Sequence, residues 1–571
     1  MAAAVAPLWI VVDGWRGGKA LAFALGGFFP LTDGAVWWTC GLQLAALGNM
    51  PGPYGWVTFD SSGYCTNRPS HTGLLATLQM VAGYDPHVLL LLLALMIGAG
   101  MAYFALEVAR TFGGLAAAVA CGLVLAFASQ HALSVFTSES TGLFLGLLAA
   151  GFLVRFVRTD AWPDALAGIA ALSIGLFTRA GALVVLPVLL LWIIRQGRPL
   201  LGRSRYGFLL GGTACVAAGY LLQRALLVFF GDPSSGYLSN YSVVLYSLAT
   251  GSRNWREALL LYGVETPSPV ETMNNILPVA IAKVLEQPGT FLRSLAEAEP
   301  NYLATLFQLP YLHAMNPWLI ALLAIGVVCL LLIRRRGCQL LLLIALGEAL
   351  SAPLIFDADG MRVFAATFPI RCLFVAVAVS TLTRLLAAAV QRRPIRDAFT
   401  EVAATPASRT GWWPSATVLA AIALAMVFTT TPLARPFRLD PVPAGNAACP
   451  DEVPPVVVIA NRASTSLPIG ESSGALSAAS LEREIEDAWF RDDFAQVPHN
   501  ALLLHAIDRN PSNFGRQISL LWMNADATVR DGDVLHLCRL PHLTRAPHRR
   551  FTRLAYHRFF MVSPVTVTRS H

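Results

Sequence analysis

The stretch His87–Ala109, HVLLLLLALMIGAGMAYFALEVA, holds one acidic residue, Glu107, and no arginine or lysine. A helix rises about 1.5 Å per residue, so a run of this length crosses the roughly 30 Å hydrocarbon core of a bilayer. Polar residues also fail to recur every three or four positions, as they would on the wet side of a helix lying on a soluble core. Its reading therefore sets the class of the whole chain: the solvent is lipid. Similar runs recur at about 114–131, 141–157, 162–177, 181–195, 207–230, 317–333, 338–356, 363–388 and 413–431. With a broken apolar segment at the start, where Asp13, Arg16 and Lys19 interrupt Ala2–Phe29, eleven spans are expected.

Composition agrees. Of 571 residues, 55% are hydrophobic and only 13% charged, and the mean hydropathy is +0.58, values that exclude a soluble globular chain. The net charge of +7 and isoelectric point near 9.0 would fit nucleic acid, but the arginines lie in loops between apolar runs. Arg110, Arg155, Arg158, Arg195, Arg198, Arg203, Arg205, Arg334, Arg335, Arg336, Arg384, Arg392, Arg393 and Arg396 all fall on one side if the N-terminus is cytoplasmic. Such asymmetry is an orientation signal, and it makes nucleic acid an unneeded partner. No charged n-region and small-residue cleavage site of a signal peptide is evident at the start.

That topology puts three segments outside: a first loop, 30–72; a long loop, 231–316; and a tail from about 436. The tail loses the long apolar runs. VPPVVVIA, ALLLHAID, ISLLWMN and DVLHLCRL read as strands and LEREIEDAWF as a helix, so a small extracytoplasmic α/β domain over 436–571 is expected after a transmembrane domain over 1–435. Gly73–Ala82 is too short to cross and is expected along the membrane interface.

Nine cysteines occur without a CxxC pair, which removes zinc and thioredoxin-type chemistry. Cys40 with Cys65, and Cys449 with Cys538, fall in outward segments where disulfides can form. Whether their Cα atoms approach closely enough is a question for the fold.

Candidate chemistry concentrates outside. Asp33, in PLTDG, can take a proton from an acceptor hydroxyl, although TDG is also an ordinary turn or helix cap. Trp37 and Trp38 offer aromatic surface for a sugar or lipid, or serve as interfacial anchors. Arg68 in NRPSH has the planar donor fork that grips phosphate, with His71 beside it; a headgroup-directed arginine is the plain alternative. Glu139 in FTSES is a second acid between two spans. Arg179, in LFTRAGALV, occupies a tight outward turn between apolar segments, where a cation calls for an anionic partner such as a lipid phosphate. In FDADGMRVF, Arg362 is a further phosphate contact or an ion-pair partner of Asp357 or Asp359, and the spacing does not complete a calcium loop. Glu265, Glu271, His313 and the 297–301 segment show no recognisable spacing.

With PLTDG, Glu139, Arg179 and the late DGMR segment in order along such spans, the chain resembles the GT-C superfamily of membrane glycosyltransferases. It resembles the branch that contains protein O-mannosyltransferases, lipid A aminoarabinose transferases and actinobacterial arabinofuranosyl- and mannosyltransferases. The resemblance extends to about residue 388. It implies an acidic catalytic residue after the first span, here Asp33, and interfacial helices near 35–47 and 73–82. It departs from the family in the residue after Asp33, which is Gly34 where a second acid is common. The resemblance implies transfer of a sugar from a polyprenyl-phosphate carrier to a glycan, lipid or protein acceptor on the outer face of the cytoplasmic membrane. The anomeric centre would be inverted, Asp33 would be the base, and Trp37, Trp38, Arg68, His71, Glu139, Arg179 and Arg362 would hold substrate. No metal ligand set is legible, and a divalent cation stays open as a cofactor. The alternative is a lipid or polysaccharide transporter, in which buried arginines line a path; related halves, its usual mark, are not seen.

Overall fold

The computed structural model describes residues 2–16, 33–48, 65–133, 135–198, 202–230, 239–252, 269–307, 309, 316–333, 335–355, 360–392 and 413–438, together with six strand segments between 455 and 568. The described helices, in chain order, are α1 (Ala2–Arg16), α2 (Asp33–Leu47), α3 (Pro69–Val81), α4 (Pro86–Phe112), α5 (Gly114–His131), α6 (Ser138–Thr159), α7 (Trp162–Thr178), α8 (Val185–Gly197), α9 (Gly202–Phe230), α10 (Ser239–Thr250), α11 (Pro269–Glu286), α12 (Pro288–Thr305), α13 (Asn316–Ile333), α14 (Arg336–Ser351), α15 (Phe368–Val390) and α16 (Trp413–Val427).

Local chemistry sets the boundaries. Asp85 caps α4 by accepting from the backbone N–H groups of His87 and Val88, and Pro86 supplies the first helical φ, a pairing that satisfies or removes otherwise orphaned donors. Gly113, at φ +100°, ends α4 and opens α5, a conformation that a side chain would strain. Asp160 takes the left-handed conformation that stops α6.

Among the described residues, six helices are long and apolar enough to cross a membrane: His87–Phe112, Gly114–His131, Ser138–Thr159, Arg205–Phe230, Arg336–Ile355 and Phe368–Val390. Four of the other expected spans fall in helices too short by that measure: Trp162–Thr178, Val185–Gly197, Pro317–Ile333 and Ser415–Thr430. Hydropathy runs on through residues 179–184, but the backbone turns there, and what remains after the turn, α8, is only about 20 Å long. The eleventh, at the start of the chain, forms α1, and residues 17–32 lie outside the described residues.

Two further expectations change. The segment 73–82 is packed among other helices rather than lying open on the surface: α3 is buried along nearly its whole length, with Val81 its one exposed residue, and it packs against α2, α9 and α16. The described residues of the long loop 231–316 are also mostly helical, through α10, α11 and α12.

The centre of the bundle is α6. Every residue from Ser138 to Val154 is buried, and α6 packs on α4, α7, α14 and α15. Arg110, Arg155 and Arg158, three of the arginines counted for orientation, meet at its C-terminal end. There Arg158 and Arg110 pair with Glu107 at 2.8 and 3.2 Å, and Arg155 pairs with Asp164 at 3.2 Å. Glu139 lies at the opposite end of the same helix, about 24 Å away by helical rise.

In the tail, the strands are β1 (Pro455–Ala460), β2 (Leu467–Pro468), β3 (Leu502–Asp508), β4 (Gln517–Trp522), β5 (Val534–Arg539) and β6 (Phe560–Thr568). Their order is β1-β5-β6-β4-β3-β2, and β1 also pairs with β3, so five of them close into a ring. All pairs are antiparallel except β4 with β6. Four of these strands coincide with the four segments expected from sequence. The expected helix LEREIEDAWF, and Cys449 of the second expected disulfide, lie outside the described residues.

Candidate functional site

Four elements distant in sequence meet at the end of the bundle marked by the first turn of α6. Glu139 stands in that turn, 1% exposed, where the helix dipole favours a carboxylate. Arg179 follows the last turn of α7, where the dipole favours a cation. Its Nη2 lies 3.1 Å from Glu139 Oε1. The close approach depends on Gly142, one turn into α6: a Cβ there would meet the Arg179 Cβ at 2.8 Å.

Arg362 comes from a short 3-10 turn, Gly360–Phe364, and its Nε is 3.5 Å from the same Glu139 oxygen. Its side chain is 26% exposed, against 5% for Arg179, so this side of the cluster is the more open one. Arg68, the residue ahead of α3, donates from Nη1 to Ser138 Oγ and lies 5.4 Å over the Trp37 ring. It too acts on Glu139 electrostatically. Three guanidinium groups thus surround one buried carboxylate, an excess of positive charge that is open to water only on the Arg362 side.

His71, in the first turn of α3, is buried. Its Nδ1 is 3.0 Å from Thr141 Oγ1, and its ring meets Trp37 edge-on at 5.1 Å. Burial, and then the neighbouring Arg68 charge, push its pKa down to about 3, so the ring is neutral at physiological pH.

Trp37 and Trp38 are each 1% exposed. Instead of presenting an open aromatic surface, they form packed floor: Trp37 beneath Arg68 and His71, and Trp38 against Phe136 at 5.1 Å. The Cys40–Cys65 disulfide forms, with Cα atoms 5.3 Å apart, and ties α2 to the segment leading into Arg68. Asp33 is the first residue of α2. Its side chain lies outside the described residues, as do Asp357 and Asp359.

Several contributors were not singled out from sequence. Ser70 Oγ contacts Thr178 Oγ1 at 2.7 Å and accepts from Gln223 Nε2 at 2.6 Å. This network fixes the start of α3 against α7 and α9. Tyr241 of α10 donates to the Gly181 carbonyl beside Arg179, joining the former long loop to the site. His131, the last residue of α5, feels the charges of Glu139, Arg362 and Arg179. Only His131 carried a legible signal, as a titratable side chain closing a span at the end that also holds Glu139. Among the described residues, no three His, Cys, Asp or Glu side chains gather as a metal site.

No family model matches the chain, and no curated protein matches it. Among solved structures it is similar to the archaeal oligosaccharyltransferase AglB from Archaeoglobus fulgidus, in complex with an inhibitory peptide and a dolichol-phosphate. The identity is 15% and the TM-score 0.36, over 75% of this chain and 55% of that one. The chain therefore spans about half the length of that protein.

Proposed function

We propose that this chain is a membrane glycosyltransferase that moves a sugar from a polyprenyl-phosphate carrier to a glycan, lipid or protein hydroxyl outside the cytoplasmic membrane. Residues 1–435 carry the transfer, and 436–571 form an extracytoplasmic domain. One observation carries the reading: Arg68, Arg179 and Arg362 converge on Glu139 at one end of the bundle, opposite the arginine-rich end. Guanidinium forks recognise phosphate oxygens with two donors at once, and charges buried at membrane depth usually mark a functional site.

In the proposed reaction Asp33 removes the proton of the acceptor hydroxyl. The hydroxyl oxygen then attacks the anomeric carbon, the bond from that carbon to the phosphate oxygen breaks, and polyprenyl phosphate departs with the electron pair. Direct displacement inverts the anomeric centre. Charge stays balanced throughout. Before transfer, three arginines face Glu139, ionised Asp33 and a singly charged phosphodiester; afterwards Asp33 is neutral and the phosphate monoester carries the second negative charge. Preorganised cations that meet charge as it develops are an effective form of catalysis. Glu139 holds the arginines in place, neutral His71 fills the space beside Arg68 without adding a competing charge, and Trp37 supports Arg68 from below.

The test is incubation of the purified protein with radiolabelled polyprenyl-phosphate sugars and cell-envelope acceptors. Protein-dependent release of polyprenyl phosphate together with labelled acceptor is expected. Passage of the intact lipid-linked sugar across a vesicle bilayer, with no bond broken, would overturn the proposal in favour of a transporter.

A further inference from the structure

We infer that the buried Glu348–Arg371 ion pair is a positioning device that holds Arg362 over Glu139, an inference that rests on the phosphate-binding reading of Arg362. Arg371 lies in the first turn of α15 and Glu348 in the last turn of α14, and both side chains are buried. Each charge stands at the helix end where the dipole opposes it. A buried pair is in any case a poor source of net stability, because removing two charges from water offsets most of their attraction. Geometry gives the pair a clearer purpose than stability does.

The Arg371 guanidinium pairs with Glu348, donates to the Leu306 carbonyl at 2.6 Å, and lies 5.2 Å from the Phe364 ring and 5.6 Å from the Tyr302 ring. Tyr302 donates to Glu348 at 3.1 Å, and its ring is 5.4 Å from that of Phe364. Phe364 ends the 3-10 turn that carries Arg362. One side of that turn is thus braced through Phe364 by α12, α14 and α15.

The other side is set by glycines. A Cβ on Gly181 would strike the Val363 carbonyl, and one on Gly146 the Ala366 carbonyl; one on Gly175 would come within 3.3 Å of the Ala366 Cβ. Residues 363–366 are held between a glycine-lined surface and the Arg371 brace, leaving Arg362 little freedom to leave Glu139.

The test is a double-mutant cycle on binding of a polyprenyl monophosphate to the full chain in detergent, with the thermal midpoint recorded for each variant. Glu348→Gln keeps an acceptor for Tyr302 and Arg371 and serves if Arg371→Met does not fold. Either change should weaken binding roughly tenfold in the native background, and by nothing further once Arg362→Ala is present, because residues acting through one group couple. Equal weakening with and without Arg362 would overturn the inference while leaving the phosphate site intact. Full-strength binding by Arg362→Ala alone would overturn the phosphate reading itself, and the inference with it.

Discussion

Replacing Glu139 with glutamine should destabilise the protein and make that loss recoverable by a phosphate ligand. The carboxylate meets Arg179 at 3.1 Å and Arg362 at 3.5 Å, and each attraction is worth about 5 kcal/mol at an effective dielectric of about 20. Part of this is offset by the cost of burying the carboxylate itself. What remains when one partner of a buried pair is lost is about 3–5 kcal/mol, because the opposite charges stay behind uncompensated. For a chain of 571 residues the entropy of unfolding scales to about 1.2 kcal/mol per degree, so the thermal midpoint should fall by about 3 °C. The readout is thermal unfolding in detergent with and without a polyprenyl monophosphate. Three arginines without their carboxylate should gain more from that anion than the native site does, so the ligand should raise the midpoint of Glu139→Gln by more than that of the native protein. Equal ligand shifts, or a variant as stable as the native chain without ligand, would refute the reasoning that Glu139 is their countercharge.

Asp33→Asn should lower the turnover rate at least a hundredfold, the usual scale for losing a general base, with the thermal midpoint and lipid-phosphate binding retained; unimpaired transfer would remove Asp33 as the base. Because the folded protein keeps His71 neutral down to about pH 3 while an unfolded histidine protonates near 6.5, the contribution of this residue to stability is complete above about pH 6.5. It is lost progressively as the pH falls toward 3, by at most roughly 5 kcal/mol; His71→Gln should flatten that part of a thermal-midpoint profile. Gly146→Ala should cost about 1–3 kcal/mol through its clash with the Ala366 carbonyl, measured as a lower thermal midpoint. Cys40→Ser should remove a cross-link that closes 25 residues, worth about 3 kcal/mol by chain entropy, and make the midpoint insensitive to reductant.

Much of this protein is legible in one dimension. Leu89–Leu93 and its counterparts announce a bilayer solvent because a lipid-facing helix must be apolar over a length that water-soluble helices do not need. The arginine asymmetry is legible for a similar reason: charge at a helix end is local to the sequence, and α6 indeed separates Arg155 and Arg158 from Glu139. Asp33, Arg68, Glu139, Arg179 and Arg362 stood out as charged groups beside apolar runs, where each is costly alone.

Only the tertiary structure decided which of these charges are partners. Arg179 and Arg362 reach the same oxygen of Glu139 because Gly142, Gly146, Gly175 and Gly181 let backbones approach, and a contact made by the absence of a side chain leaves no hydropathy signal. The burial of α3, the shortness of α7 and α8, and the folding of 231–316 into helices depend on neighbours far away in the chain. Composition determined the solvent and the ends of the bundle; packing determined that three cations and one carboxylate share a single centre.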